Sequence, residues 1–247
     1  YLEVLDAFHD AANDIKLVTC RHENGAANMA EAYGKLTGKA GVCLVTRGPG
    51  ACNASIGVHT AFQDSTPMVL LVGQVPSTQI GREALQEVDF RWMFGPVAKW
   101  VDQVRHVDEI PAVMARAFRA AVSGRPGPAV VALPEDLLRE ASEAPEVGPY
   151  RVVQVFPDMP RMARLRALLD KAERPVMMVG GSGWTLRGRG NIQAFADANN
   201  LPTCCSFRRH DIFDNTHRCF IGEFGLDASP ALAERVRNSD LLLVVGA

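Results

Sequence analysis

Three short segments of this sequence carry residue types that chemistry needs. In Arg21-His22-Glu23-Asn24-Gly25-Ala26-Ala27, a carboxylate stands where an apolar run gives way to helical spacing. Ala26, Ala27, Ala30 and Gly34 follow Glu23 at i+3, i+4, i+7 and i+11, so Glu23 heads a helix face of small residues suited to close packing. A bland reading stands beside the functional one: an acid in a first turn is favoured by the helix dipole. A zinc-protease reading fails, because H-E-x-x-H needs its second His where Ala26 stands. The second segment, Thr46-Arg47-Gly48-Pro49-Gly50-Ala51-Cys52-Asn53, reads as a tight turn between a strand and a helix. Such a turn aims backbone N–H groups outward and suits an anion or polar ligand, or it is simply a sharp strand-to-helix connection. It is neither a Walker loop nor G-x-G-x-x-G. The third, Gly180-Gly181-Ser182-Gly183, follows the apolar residues 176–179. Open α/β sheets bind ligands at such strand ends, although the incomplete glycine spacing speaks against a dinucleotide fingerprint.

The elements that must position these segments alternate. Strands are expected over 15–20, 41–46, 68–73, 129–133, 175–180, 202–206 and at the final apolar run from 241. Helices are expected at the very start, over 23–36 with Thr37-Gly38 as a stop, over 51–63, from Asp108 as N-cap to 122, from Arg161, over 192–199 and over 229–238. Gly48-Pro49-Gly50 is read as a turn, and 74–89 as a long polar loop. Strand–helix alternation means βαβ units: an α/β fold with two open, mainly parallel-sheet domains, the second truncated. Residues 1–140 form the first domain. A polar stretch holding Pro145, Pro149, Pro157 and Pro160 makes 141–160 a linker, and 161–247 the second domain.

Composition bounds the function. The 247 residues carry 26 Lys+Arg against 28 Asp+Glu, a net charge of −2 that leaves no footprint for a nucleic-acid or membrane surface. Arg208-Arg209-His210 is read as a solvated turn. No apolar run reaches the roughly 18–20 residues of a membrane span, and 47% hydrophobic content excludes a disordered chain. Six Cys without a C-x-x-C read as small buried hydrophobes in a reducing cytoplasm rather than zinc ligands. The start at Tyr1 and the end in an apolar strand are read as those of a piece of a longer chain.

The segments resemble a known family in their order. Residues 21–38 (RHENGAANMAEAYGKLTG), 41–53 (GVCLVTRGPGACN), 61–75 (AFQDSTPMVLLVGQV), then Gln86-Glu87-Val88-Asp89 and 96–100, resemble the thiamine-diphosphate-dependent enzymes of the acetolactate synthase and pyruvate oxidase group. The likeness covers 1–140 with that family's pyrimidine-binding domain, its first strand missing, and more weakly 161–247 with part of its Rossmann-like central domain. The resemblance implies that Glu23 activates the cofactor through a ring nitrogen of its aminopyrimidine. A desolvated setting that raises the pKa of Glu23 would assist that role, with the helix dipole pulling the other way. It implies that Thr46, Pro49, Gly50 and Asn53 wall the pyrimidine, that Gln86 lies on the active-site loop, that Lys99 lies near the substrate channel, and that Gly180, Gly181 and Ser182 face FAD in flavin-containing members.

The implied substrate is a small-molecule 2-oxo acid, the reaction decarboxylation of pyruvate with carboligation, and the assembly a homodimer or homotetramer in which this segment alone is inactive. The alternatives are a 2-oxo-acid decarboxylase, a flavin-linked pyruvate oxidase-type enzyme, or a noncatalytic module of the same fold. Mg²⁺ is implied too, with its ligands beyond residue 247; no metal ligand is assigned within the chain. Departures are also visible. Arg47 replaces a small Ser before G-P-G, either selecting an acidic acceptor or turning into a subunit contact. Leu85 stands for the usual Phe, and Ser206-Phe207-Arg208-Arg209-His210-Asp211-Ile212-Phe213 departs from the small or apolar segment expected there, which leaves FAD open.

Overall fold

The computed structural model describes every residue except Arg151 and Gln154, both inside the expected linker. The chain divides into two compact units, Tyr1–Val153 and Gln154–Ala247.

In the first unit, helix α1 (Leu2–Asp10) is followed by an extended segment and then α2 (Glu23–Thr37), β1 (Gly41–Val45), α3 (Gly48–Gln63), β2 (Met68–Gln74), the short α4 (Phe90–Phe94), β3 (Trp100–Gln103), α5 (Ile110–Val122) and β4 (Pro128–Pro134). The sheet runs β1-β2-β4-β3, all parallel. Every residue of β2 and β4 is buried, which explains their unbroken apolar runs: both faces of a central parallel strand meet helices. Met68, Leu70 and Val72 face α2 and α3 in one core layer, while Val69 and Leu71 meet Val113, Ala117 and Ala121 of α5 in the other. Edge strand β1 alternates instead, with Val42 exposed between buried Gly41 and Cys43.

The small face expected after Glu23 packs as a close contact. Ala27 and Ala30 are buried, and a methyl added at Gly57 of α3 would lie 2.6 Å from the Ala27 Cβ. α2 then stops at Gly38, whose φ of 70° suits glycine and whose N–H donates to the Gly34 carbonyl at 2.9 Å.

Several expectations need correction. Residues 15–20 form no strand: no described strand pairs with them, and Ile15, Leu17 and Val18 stay about half exposed. Gly48-Pro49-Gly50 is the opening of α3 rather than a separate turn, since Pro fits a first helical turn whose N–H groups lack partners anyway. Asp108 does not cap α5. It lies in a 3₁₀ turn, Val107–Glu109, whose cap is His106. Strand β3, which the spacing missed, adds a fourth member to the sheet.

The second unit holds α6 (Met159–Lys171), β5 (Pro175–Val179), α7 (Leu186–Ala198), β6 (Thr203–Ser206), β7 (Phe220–Phe224), α8 (Pro230–Arg237) and β8 (Leu241–Val245), with parallel order β7-β6-β5-β8. Met177 and Val179 of β5 join Cys205, Ala196 and Phe213 in its main core. Strand β7 was not expected from sequence, and α7 begins six residues before its expected start at 192. No described helix is long and apolar enough to cross a membrane.

Candidate functional site

The site lies at the carboxyl ends of the strands of the first unit. His22 has extended geometry (φ −145°, ψ 138°), and its Nδ1 accepts the Asn24 N–H at 3.1 Å. That cap makes Glu23 the first residue of α2. The close packing of α2 against α3 carries the first turns of α3 to the same place. Asn53 Nδ2 donates to Glu23 Oε2 at 3.0 Å. A methyl at Gly50 would lie 3.6 Å from Glu23 Oε1 and 2.8 Å from Thr46 Cγ2, so the carboxylate and Thr46 flank a backbone with no side chain of its own.

The Glu23 carboxyl is held below the ordinary carboxylate range. Its own backbone N–H is the first cause, then the Asn53 donor and the charge of His22, while partial burial opposes them. Of the two opposing influences, the helix start prevails: at the first turn, free N–H groups stabilise the anion more than desolvation penalises it in this chain.

A second loop closes on the same turn. The Gly48 N–H donates to the Gln86 carbonyl at 3.0 Å, and a side chain at Gly48 would meet that oxygen and Val88 Cγ2, each at 2.9 Å. Gln86 adopts φ 65° and Glu83 φ 54°, a conformation costing non-glycine residues about 1–2 kcal/mol each. Two side chains hold the loop in that shape. The Glu87 carboxylate accepts the Gly81 and Ala84 N–H groups, and these hold its pKa low. The amide of buried Gln74, at the end of β2, donates to the Val88 carbonyl at 2.9 Å and accepts the Val75 N–H at 2.9 Å. A cavity of about 310 Å³ lies against this loop, lined by Gln74, Ile80, Asp89, Asp102, Gln103 and Arg105 among others. Sequence reading missed Gln74 and Glu87. An amide ending an apolar strand and an acid in a glycine-bearing loop were the available signals.

The other expected residues fall elsewhere. Arg47 pairs with Glu135, just beyond β4, so its charge is met within the chain. The partner lies 88 residues away in sequence and carries no local signal. Lys99 precedes β3, and its backbone N–H bonds the Pro128 carbonyl at the start of β4. It therefore sits at the opposite edge of the sheet from Glu23, its Nζ on the Ser123 carbonyl and its pKa pushed down by burial. The structure brings together Glu23, Thr46, Gly50 and Asn53, joins Gln86 to them through Gly48, places Pro49 exposed at the start of the same helix, and leaves Lys99 apart.

In the second unit Gly180 and Gly181 sit where other parts of the chain approach their backbone closely. Side chains at Gly180 and Gly181 would collide with Ser206 Oγ and the Gly246 carbonyl, and Trp184 Nε1 donates to the Gly180 carbonyl at 2.7 Å. These glycines are explained by backbone packing at the ends of β5, β6 and β8.

Among the described residues, Asp197, His217 and Cys219 gather ligand-type atoms within 4.8 Å. His217 Nδ1 accepts the Cys219 N–H at 3.2 Å, which puts the ring proton on Nε2, facing Asp197 at 3.5 Å. Arg218 Nε also bonds Asp197, at 2.8 Å. The group is a hydrogen-bonded staple, not an open ligand set.

Both units match known proteins. Residues 1–93 match the family model described as "Thiamine pyrophosphate enzyme, N-terminal TPP binding domain", and residues 162–247 match "Thiamine pyrophosphate enzyme, central domain". The chain belongs to the thiamine pyrophosphate enzymes. It is 38% identical over 251 residues to the acetolactate synthase isozyme 3 large subunit of Escherichia coli K12, covering 99% of this chain and 44% of that one. It is 35% identical to the acetolactate synthase large subunit of Parasynechococcus marenigrum, covering 100% of this chain and 41% of that one. To the probable acetolactate synthase large subunit of Methanocaldococcus jannaschii it is 32% identical, over 97% and 42%. The chain spans less than half the length of these relatives.

Proposed function

We propose that the protein carrying this chain is a thiamine-diphosphate-dependent enzyme that decarboxylates a 2-oxo acid such as pyruvate and joins the remaining fragment to a second 2-oxo acid, as acetolactate synthase does. One observation carries the reading: the carboxylate of Glu23 stands at the start of α2, one oxygen on Asn53 and the other beside the bare backbone of Gly50. That arrangement fits the flat, basic pyrimidine ring of the cofactor, because Gly50 adds no side chain beside Glu23 Oε1. Thiamine diphosphate, when bound, supplies a carbanion that adds to a carbonyl and takes up the electrons released with CO₂.

The residues of this chain do the rest. Glu23 takes and returns a proton at a ring nitrogen, Thr46 and Pro49 flank the ring, and the Gln86 loop, pinned by Glu87 and Gln74, bounds the space above it. Mg²⁺ belongs to the same reading and is assigned to no residue of this chain. Flavin binding at Gly180, Gly181 and Ser182 stays open, and no step is drawn through it.

Assembly as a homodimer or homotetramer is part of the proposal. Met29, Tyr33 and Leu36 of α2 and Ile56 of α3 present apolar side chains to solvent at helical spacing, as a face covered by another subunit would. A reducing, cytoplasmic location is proposed on the six free thiols. The test is product analysis of the intact protein with pyruvate, alone and with a second 2-oxo acid. A 2-hydroxy-2-acyl acid product supports the reading; aldehyde alone, or no product from the wild-type protein, contradicts it.

A further inference from the structure

The family resemblance implies that Asn53 walls the cofactor ring. Its hydrogen bond points elsewhere. Gly50 and Asn53 stand three residues apart in α3 and therefore share a face, and that face meets Glu23. The two residues treat the two carboxylate oxygens differently. Oε2 receives the Asn53 amide N–H at 3.0 Å, whereas Oε1 lies over Gly50, where even a methyl carbon would be 3.6 Å away.

We infer that Asn53 is the positioning residue of Glu23: its amide holds Oε2 and so fixes the rotamer in which Oε1 is presented to a ring nitrogen of the cofactor. This inference rests on the reading proposed above and deepens it. The G-x-x-N spacing then has a physical meaning, with glycine making the space and asparagine aiming the acid into it.

The surroundings of Glu23 leave this bond as its one side-chain hydrogen bond among the described residues. The titratable groups acting on the site are His22, which lowers the Glu23 pKa by its charge, and Cys43 of β1, whose thiol burial pushes up to about 12 and which therefore stays neutral while a carboxyl titrates. The Asn53 side chain is exposed, so replacing it leaves the core intact.

The experiment uses Asn53→Leu, close to Asn in size but without a donor, and Asn53→Asp, which puts a charge in its place. First, the Glu23 carboxyl carbon is followed by NMR against pH in the cofactor-free intact protein, its signal assigned by its loss in Glu23→Gln. The midpoint rises toward the ordinary carboxylate range in Asn53→Leu and further in Asn53→Asp. Second, in the intact protein, Asn53→Leu lowers kcat by roughly a hundredfold, as a misplaced acid does, with less than about threefold change in the KM for thiamine diphosphate. On the Glu23→Gln background, Asn53→Leu has no further effect, because it acts only through Glu23.

A midpoint unmoved by either variant overturns the inference, whatever Glu23→Gln does to turnover. So does a raised KM for the cofactor at unchanged kcat, which would make Asn53 a wall and not a positioning residue. Normal turnover in Glu23→Gln would instead overturn the proposed function, and the titration would still decide for or against the hydrogen bond.

Discussion

Replacing Gly57 by Ala tests whether the close approach of α2 and α3 builds the site. The added Cβ would lie 2.6 Å from the Ala27 Cβ, 2.8 Å from the Ala27 carbonyl carbon and 3.0 Å from the Asn28 nitrogen. Carbon atoms rest at about 3.5 Å or more, so the helices must part by roughly 1 Å. Two of the three atoms are backbone, and no rotamer change relieves them. Such overpacking costs about 1–3 kcal/mol, and better helix propensity returns about 1 kcal/mol, leaving a net loss of about 1 kcal/mol. Gly25→Ala is the matched control. It lies in the first turn of α2, where helix propensity counts for less than at mid-helix Gly57, meets nothing within 4 Å, and gains about 0.5 kcal/mol. Native-state hydrogen exchange of peptides from α2 and α3 reads the first unit by itself. The two variants should differ there by about 1.5 kcal/mol, roughly tenfold in protection. Because Asn53 is one turn before Gly57, the same 1 Å shift stretches the 3.0 Å bond to Glu23 beyond hydrogen-bond range, and the Glu23 midpoint should rise. Equal stabilisation by both substitutions would refute the close-packing argument.

Two further outcomes are expected. The folded-state pKa of Glu87 lies below its ordinary value of 4.5, so its contribution is present above pH 4.5 and lost as pH falls through the lower folded value. Acid should therefore loosen the loop around Gln86, and Glu87→Gln should flatten the dependence of exchange in peptides 80–88 between about pH 5 and 3; an unchanged profile would remove Glu87 from that role. Cys52 is exposed and Cys20 partly so, whereas Cys43, Cys204, Cys205 and Cys219 are buried. A thiol reagent should label Cys52 first, then Cys20, and the other four only on unfolding, read by mass spectrometry of digests; early labelling of Cys204 or Cys205 would contradict the packing of the second unit.

The fold was most legible where burial is symmetric. Strands β2 and β4 show as apolar runs because both faces are covered. The α2 stop shows because Gly38 alone there tolerates a positive φ cheaply. Legibility failed at edges. Residues 15–20 have the composition of a strand, but a strand also needs a hydrogen-bonding neighbour, and the described sheet provides none. Strand β3 is half-buried throughout and carries Asp102 and Gln103, so its pattern is too mixed to separate from loop. The site residues 23, 46, 50 and 53 were legible because their types recur in order along a recognisable family pattern. Their direct bond, Asn53 to Glu23, was not, because helix packing creates it. The Arg47–Glu135 pair and the distance of Lys99 from the site depend on strand order, which spacing does not encode.

The central claim is that Glu23 activates a thiamine cofactor by proton exchange at its pyrimidine ring. Glu23→Gln in the intact protein tests it most directly, with turnover of pyruvate and the deuterium exchange rate at the reactive carbon of bound thiamine diphosphate measured on the same sample. Both rates should fall together by about 10²–10⁴-fold while the cofactor remains bound. Exchange and turnover within a few-fold of the wild type would contradict it.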